Sequence, residues 1–159
     1  MADQTFKAIQ FYPVAARTPS LLAELVELWR ESVKASHAFL TPDDVLTIRP
    51  QVTNLLATAD GLAVRRDPQG RTLGFLALNK LKVEALFLAP WARGQGYGRE
   101  LMSWASQKGA RYVDVNVDNH QALGFYRYLG FELFDQGHSQ VGPKSLGLYH
   151  LRLKEGSKL

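Results

Sequence analysis

Three glycines at alternate positions, Gly94, Gly96 and Gly98, stand between Arg93 and Arg99, with Gln95 and Tyr97 filling the gaps. A residue without a Cβ lets the main chain turn sharply and lets a ligand come close to it. Just before them, Leu86, Phe87 and Leu88 form an apolar run that suits a strand buried on both faces. Pro90 ends that strand, because proline cannot donate to a ladder. A helix pattern opens at Gly98. Strand, glycine turn and helix start together point unpaired backbone N–H groups at one spot, and their partial positive charge holds phosphate. The stretch reads as a pyrophosphate cradle with Arg93 and Arg99 as charged neighbours.

The kind of phosphate ligand follows partly by exclusion. A nucleotide P-loop needs Gly-Lys followed by Ser or Thr, and no Gly-Lys occurs in the chain. A dinucleotide fingerprint needs G-x-G-x-x-G, but counted from Gly94 the third glycine slot holds Arg99. Asp118 lies about 20 residues past the loop, where a ribose-binding acid would sit. Against that reading, too little chain follows for a doubly wound sheet.

A coenzyme A site is the third option, and a resemblance supports it. Arg93-Gly94-Gln95-Gly96-Tyr97-Gly98 resembles the Q/R-x-x-G-x-G/A loop of the GCN5-related N-acetyltransferase (GNAT) family. The segment from Asn119 to Phe131, with Ala122, Phe125, Tyr126 and Gly130, is similar to that family's N-x-x-A-x-x-(aromatic or Leu)-Y-x-x-x-G-F pattern. The two motifs stand in the family's order and span residues 83–131, about a third of the chain. Trp29 to Leu40 also resembles a subgroup of small bacterial members.

The resemblance implies an α/β (α+β) fold with a mixed, splayed central sheet flanked by helices, the acyl-CoA N-acyltransferase fold. It implies acetyl-CoA, or coenzyme A after transfer, held by Arg93, Gly94, Gln95, Gly96, Tyr97, Gly98 and Arg99. The backbone of Leu86, Phe87 and Leu88 would take the pantetheine arm like an added strand. Asn119 is a helix N-cap by chemistry and, by resemblance, a cofactor contact as well. Tyr126 alone reads as a core aromatic. By resemblance it matches a tyrosine near the coenzyme sulfur, where its phenol would protonate the leaving thiolate.

The acceptor implied is a small-molecule or peptide amine. A lysine-type amine has a pKa of about 10.4, so a base or water relay helps it lose a proton. Glu84 stands near the place of a general base in some family members, as a partly desolvated carboxylate on the strand before the loop. Its plainer reading is an ion pair with Lys80 or Lys82. His37, between two N-terminal helices that in this family wall the acceptor site, is the rival. Asn116, at a strand's end, either binds substrate or serves only its own loop. His120, His138 and His150 share no metal-ligand spacing, so no metal is expected. Two other classes stay open beside the enzyme: a non-catalytic acyl-CoA-binding module and a nucleotide-binding regulator.

Bulk properties fit one small enzyme. The chain has 159 residues, room for a single domain with a sizeable core. It has no cysteine, which excludes disulfides, thiolate metal sites and a cysteine acyl-enzyme. No G-x-S-x-G and no H-E-x-x-H occurs. The first residues lack an apolar signal core, and no span is long enough to cross a membrane, so the cytoplasm is the expected location. The net charge of +4 is dispersed; it suits an anionic cofactor and does not argue for nucleic acid.

The elements that must position these residues are readable in order. Phe6 to Tyr12 is a first strand. Thr18-Pro19 caps a helix carrying Leu21, Leu25, Leu28, Trp29 and Val33 at helical spacing. Thr41-Pro42-Asp43-Asp44 opens a second helix, which Pro50 is expected to kink or split. Leu62 to Arg66 and Thr72 to Asn79 are strands around an Asp67–Gly70 turn. Lys82 to Leu88 is a strand, Gly98 to Lys108 a helix, and Arg111 to Val117 a strand. Asn119 to Leu129 is a helix closed by Gly130. Phe131 to Phe134 and Leu146 to Leu153 finish the sheet, and Glu155 to Leu159 is expected as a loose tail.

Overall fold

The computed structural model describes residues 8–36, 38–157 and 159. In order, the elements are β1 (Ile9–Phe11), α1 (Pro19–Ser36), α2 (Pro42–Thr58), β2 (Gly61–Arg66), β3 (Thr72–Asn79), β4 (Lys82–Leu88), α3 (Tyr97–Gln107), β5 (Tyr112–Asn116), α4 (His120–Tyr128), β6 (Phe131–Val141) and β7 (Lys144–Leu153). Short 3-10 turns at Val14–Ala16 and Pro90–Ala92 are additions to the expected order.

The strands form one mixed sheet in the order β1-β2-β3-β4-β5-β7-β6. Its neighbours are antiparallel except β4 and β5, which run parallel. Parallel neighbours need a crossover, and α3 supplies it. Strand alternation splits the core in two. Leu76 and Leu78 of β3 pack with Val83, Val113 and Val115 under Leu101 and Met102 of α3 and Tyr126 of α4. Phe75 and Ala77 turn the other way, toward Leu25 and Trp29 of α1 and Leu56 of α2.

The helix starts are those the sequence predicts. Leu21 N donates to Thr18 Oγ1 at 3.1 Å. At α2, Asp44 N donates to Thr41 Oγ1 at 3.1 Å while Thr41 N donates to Asp44 Oδ2 at 2.9 Å, a reciprocal cap. Gly130 follows α4 with φ of 102°, the left-handed residue that ends such a helix.

Four expectations need correction. α2 is not split at Pro50 but continues as one helix to Thr58. Proline removes the bond to the Leu46 carbonyl, but Leu46 and Pro50 are both exposed, so water can take that bond. β6 runs on to Val141, well past Phe134, because its polar stretch Asp135 to Gln140 pairs with β7 along a largely uncovered part of the sheet. β1 is only Ile9–Phe11; Phe6 and Lys7 lie outside the described residues. The tail is not loose at its end: Leu159 packs against the α3/α4 core, and its main-chain oxygen accepts from Ser103 Oγ at 3.1 Å.

Candidate active site

The site arises where β4 leaves β5. Against β3, β4 is paired from Lys82 to Leu88. Against β5 it is paired only at Lys82↔Tyr112 and Val83↔Val113. A bulge lies at the parting point: Ala77 faces Ala85 but Leu78 faces Val83, so Glu84 is the extra residue. A bulge bends and twists its strand, and here it turns β4 away from its neighbour. At the root of the split, Lys82 Nζ meets Asp114 Oδ2 at 2.5 Å and ties the two strands together. Beyond it, residues 84–88 have no strand partner on the β5 side.

A cavity of about 630 Å³ fills this gap. Glu84 to Leu88 line one side and Val113 to Asn116 the other. Gly94, Gly96, Gly98 and Arg99 line it from the loop and the start of α3. Asn119, Ala122, Phe125 and Tyr126 reach it from α4's end, and Ser32 and Ser36 from α1.

The loop has the shape expected of a phosphate cradle. Gly94 and Gly96 have φ of 75° and 91°, and a Cβ built on either would meet nothing within 4 Å. Open space with a backbone that side chains rarely adopt leaves the main chain bare to a ligand. Gly96 is the N-cap of α3 and gives it no side-chain acceptor. The carboxylate in that first turn, Glu100, is taken by Arg65 Nε at 2.9 Å. The N–H groups of the turn are therefore left for an anion. The cradle fits the pyrophosphate of coenzyme A, and the stretch of β4 that lines the cavity beyond its β5 pairing fits the amides of its arm.

The two arginines divide. Arg93 lines the cavity, and one nitrogen of its guanidinium is engaged by α1. Its Nη2 donates to Ser32 O at 3.0 Å, Ser32 Oγ at 2.9 Å and Ser36 Oγ at 3.1 Å, which ties the loop to the end of α1. The cause is distance along the chain: α1 returns beside the loop, and its terminal carbonyl and hydroxyls are acceptors that a guanidinium fits. Arg99 is exposed, lies 5.8 Å over the Tyr128 ring and makes no ion pair among the described residues. Gln95 is exposed, its Nε2 donating to Trp91 O at 3.3 Å, and Tyr97 packs on the α1/α2 core beneath Arg65.

Tyr126 is buried, edge-on to Phe125 and Phe131 at 5.1 and 5.6 Å. Burial raises its phenol pKa above the usual range. Its hydroxyl makes no hydrogen bond to any described residue, although the residue lines the cavity. It is packed as a core aromatic, and the same residue lines the cavity. Asn119 caps α4 through Ala122 N to Oδ1 at 3.1 Å and also lines the cavity.

Glu84 is exposed at the cavity rim, not partly desolvated, because the bulge carries it out of the regular strand alternation. Lys82 pairs with Asp114 rather than with Glu84. His37 lies outside the described residues. Sequence reasoning missed Asp114, which lines the cavity, takes Lys82 on one oxygen and meets His150 Nδ1 at 2.6 Å on the other. The available signal was the alternation of Asp114 and Asn116 with Val113 and Val115. Among the described residues no group of three or more acidic or imidazole side chains could hold a metal.

Known proteins agree with this geometry. Residues 58–133 match the acetyltransferase (GNAT) domain. The chain is 36% identical over 119 residues to the peptidyl-lysine N-acetyltransferase YjaB of Escherichia coli strain K12, covering 74% of this chain and 79% of that one. It is 31% identical to the peptidyl-lysine N-acetyltransferase YiaC of the same strain, covering 73% and 80%. The solution structure of apo YjaB superposes with a TM-score of 0.77 at 30% identity, over 91% of this chain and 95% of that one. The PaiA N-acetyltransferase of Thermoplasma acidophilum, solved with coenzyme A, shares the fold at a TM-score of 0.62 and 18% identity, over 92% and 98%. The chain belongs to the GNAT acetyltransferase family and is an acetyl-CoA-dependent N-acetyltransferase.

Proposed function

We propose that this enzyme acetylates a primary amine, the side chain of a lysine in a peptide or protein, by direct transfer with both substrates bound at once. The observation that carries the reading is the single cavity running through the β4–β5 split. It touches the glycine loop on one side of the sheet and Glu84, Asp114 and the end of α1 on the other. Two partners can meet there thioester to amine, which converts a bimolecular step into one within a complex. The chain has no cysteine to carry the acetyl group between them. The peptidyl-lysine specificity of the two named relatives supports lysine as the acceptor.

Acetyl-CoA supplies the activated acetyl group; the rest falls to this chain's residues. The N–H groups of the loop and α3's first turn hold the pyrophosphate, and Arg99 adds charge at the rim. The β4 edge beyond its β5 pairing orients the arm and offers N–H groups to the carbonyl oxygen. The Tyr126 phenol, which burial keeps protonated, donates a hydrogen bond to the departing sulfur; because burial also weakens it as an acid, the thiolate takes up its proton from solvent. At neutral pH only about one lysine amine in 10³ is unprotonated. Glu84 at the rim takes the amine's proton through solvent.

A panel of primary amines assayed with acetyl-CoA, lysine peptides and free lysine among them, tests this. Turnover greatest on the peptides is expected. Turnover confined to one small amine would overturn lysine as the acceptor, and no turnover on any amine would overturn the enzyme reading.

A further inference from the structure

Two polar side-chain atoms among the described residues are buried without a hydrogen-bond partner: Arg17 Nη2 and Asn116 Oδ1. Arg17 lies away from the cavity, between Tyr12 and α2, where its other nitrogens donate to the Tyr12 and Leu56 carbonyls. Asn116 lines the cavity. A buried amide oxygen with no donor is uncommon and calls for an explanation. The main chain of Asn116 is settled: it pairs with Leu148 of β7, and its carbonyl accepts from Asn119 N at 2.9 Å. Only the side chain is left over.

Its side of the sheet follows from strand alternation. Val113 and Val115 pack into the α3/α4 core, on the side of the glycine loop's helix. Asp114 and Asn116 therefore project to the opposite side, where α1 lies. Asp114 is already engaged by Lys82 and His150. Asn116 stands at the far end of β5, in the wall of the gap that β4 leaves open.

We propose that the Asn116 side-chain amide is the acceptor-orienting group, taking an N–H of the attacking amine on Oδ1 so that the nitrogen lone pair points at the thioester. This rests on the reading of the site as an amine acetyltransferase. The chemistry favours an amide there. A carboxylate in contact with the amine would stabilise its ammonium form and oppose the loss of the proton that attack requires. A neutral carbonyl oxygen accepts the N–H without that penalty. A strand end fixed by β7 and by the Asn119 bond holds such a group firmly.

The test uses whichever primary amine of the panel the wild-type enzyme acetylates, so that failure of a lysine peptide counts against the acceptor class alone. Asn116→Ala is expected to lower kcat/KM for the amine about tenfold or more. Its affinity for coenzyme A, read by calorimetry, should be unchanged, which also reports a folded site. Asn116→Asp keeps the shape and adds charge. It should move the acidic limb of the kcat/KM–pH profile about one unit upward, which a merely structural role would not do. In the wild-type protein saturated with coenzyme A, the 15N side-chain amide resonance of Asn116 should shift as the amine is titrated in. Unchanged amine kinetics in both variants, or a resonance that does not move, would overturn the proposal. Weakened coenzyme A binding with an unchanged amine KM would overturn it too, by assigning the amide to the cofactor.

Discussion

β4 has two edges, and they do opposite things. Its β3 edge is paired from end to end, with Phe75 against Phe87 and Leu76 against Leu86. Its β5 edge is paired at two residues and then opens. The closed edge sits between two hydrophobic clusters and contributes stability. The open edge contributes none of that pairing, and its residues from Glu84 to Leu88 line the cavity. An unpaired edge is normally a hazard for aggregation. Here residues of α1, α4 and the glycine loop line the space beside it. One extra residue, Glu84, separates the two regimes.

The largest effect should fall on the closed edge. Phe75 is fully buried, and Phe75→Ala should destabilise the fold by about 3–5 kcal/mol, read from denaturant midpoints. A much smaller loss would mean that the β3 edge is not the structural one.

At the open edge, function should fail while the fold survives. Gly96→Val forces a branched side chain into a left-handed conformation that costs about 1–3 kcal/mol and places it where a ligand must approach. Coenzyme A affinity should drop at least about 10²-fold while the protein still folds, with a melting temperature lowered by roughly 2–12 °C. Calorimetry showing intact affinity would remove the loop from the site.

Tyr126 belongs to both regimes, as core aromatic and as cavity phenol. Tyr126→Phe keeps the ring and should lower kcat about 10²-fold with coenzyme A binding retained. Because burial holds the phenol protonated, wild-type kcat should show no loss from its ionisation up to about pH 10. Near-wild-type turnover in the variant would leave Tyr126 to packing alone.

The smallest effect lies remote from both edges, at the cap of α2. Lys144 of the β6–β7 hairpin donates to Asp44 Oδ2 at 2.6 Å, and this bond, with the Thr41 N–H, holds the Asp44 carboxyl below its ordinary range. A depressed pKa stabilises the fold above the unfolded carboxyl's pKa, and the contribution fades as pH falls through the folded value. Asp44→Asn should therefore melt slightly lower than wild type at pH 7, and the gap should narrow as the pH falls below about 4. Activity should be untouched; a change in kcat would tie this latch to the site.

Much of this was legible in the sequence, for local reasons. Thr-Pro pairs start two helices, alternating apolar runs mark the strands, and three glycines announce the loop. The illegible parts depend on residues far apart. Glu84 reads as an ordinary outward residue of an apolar run, so nothing local reveals a bulge or the parting of the strands. Arg93 finds its acceptors on Ser32 and Ser36, 61 and 57 residues earlier. Asp135 to Gln140 lack an apolar pattern because their part of the sheet is mostly uncovered, so the long hairpin was invisible beyond Phe134.

The position of β7 carries a consequence for how the molecule assembles. Last of the strands in sequence, it lies in the interior of the sheet, between β5 and β6. Until β7 has been synthesised, β5 can pair only with the two residues of β4, and β6 has no neighbour at all. The wall of the cavity that holds Asp114 and Asn116 therefore forms late. On the ribosome, β2, β3 and β4 can pair early through local hairpins, whereas the half that completes the cavity must wait for the pairing of β5 with β7, such as Asn116 with Leu148.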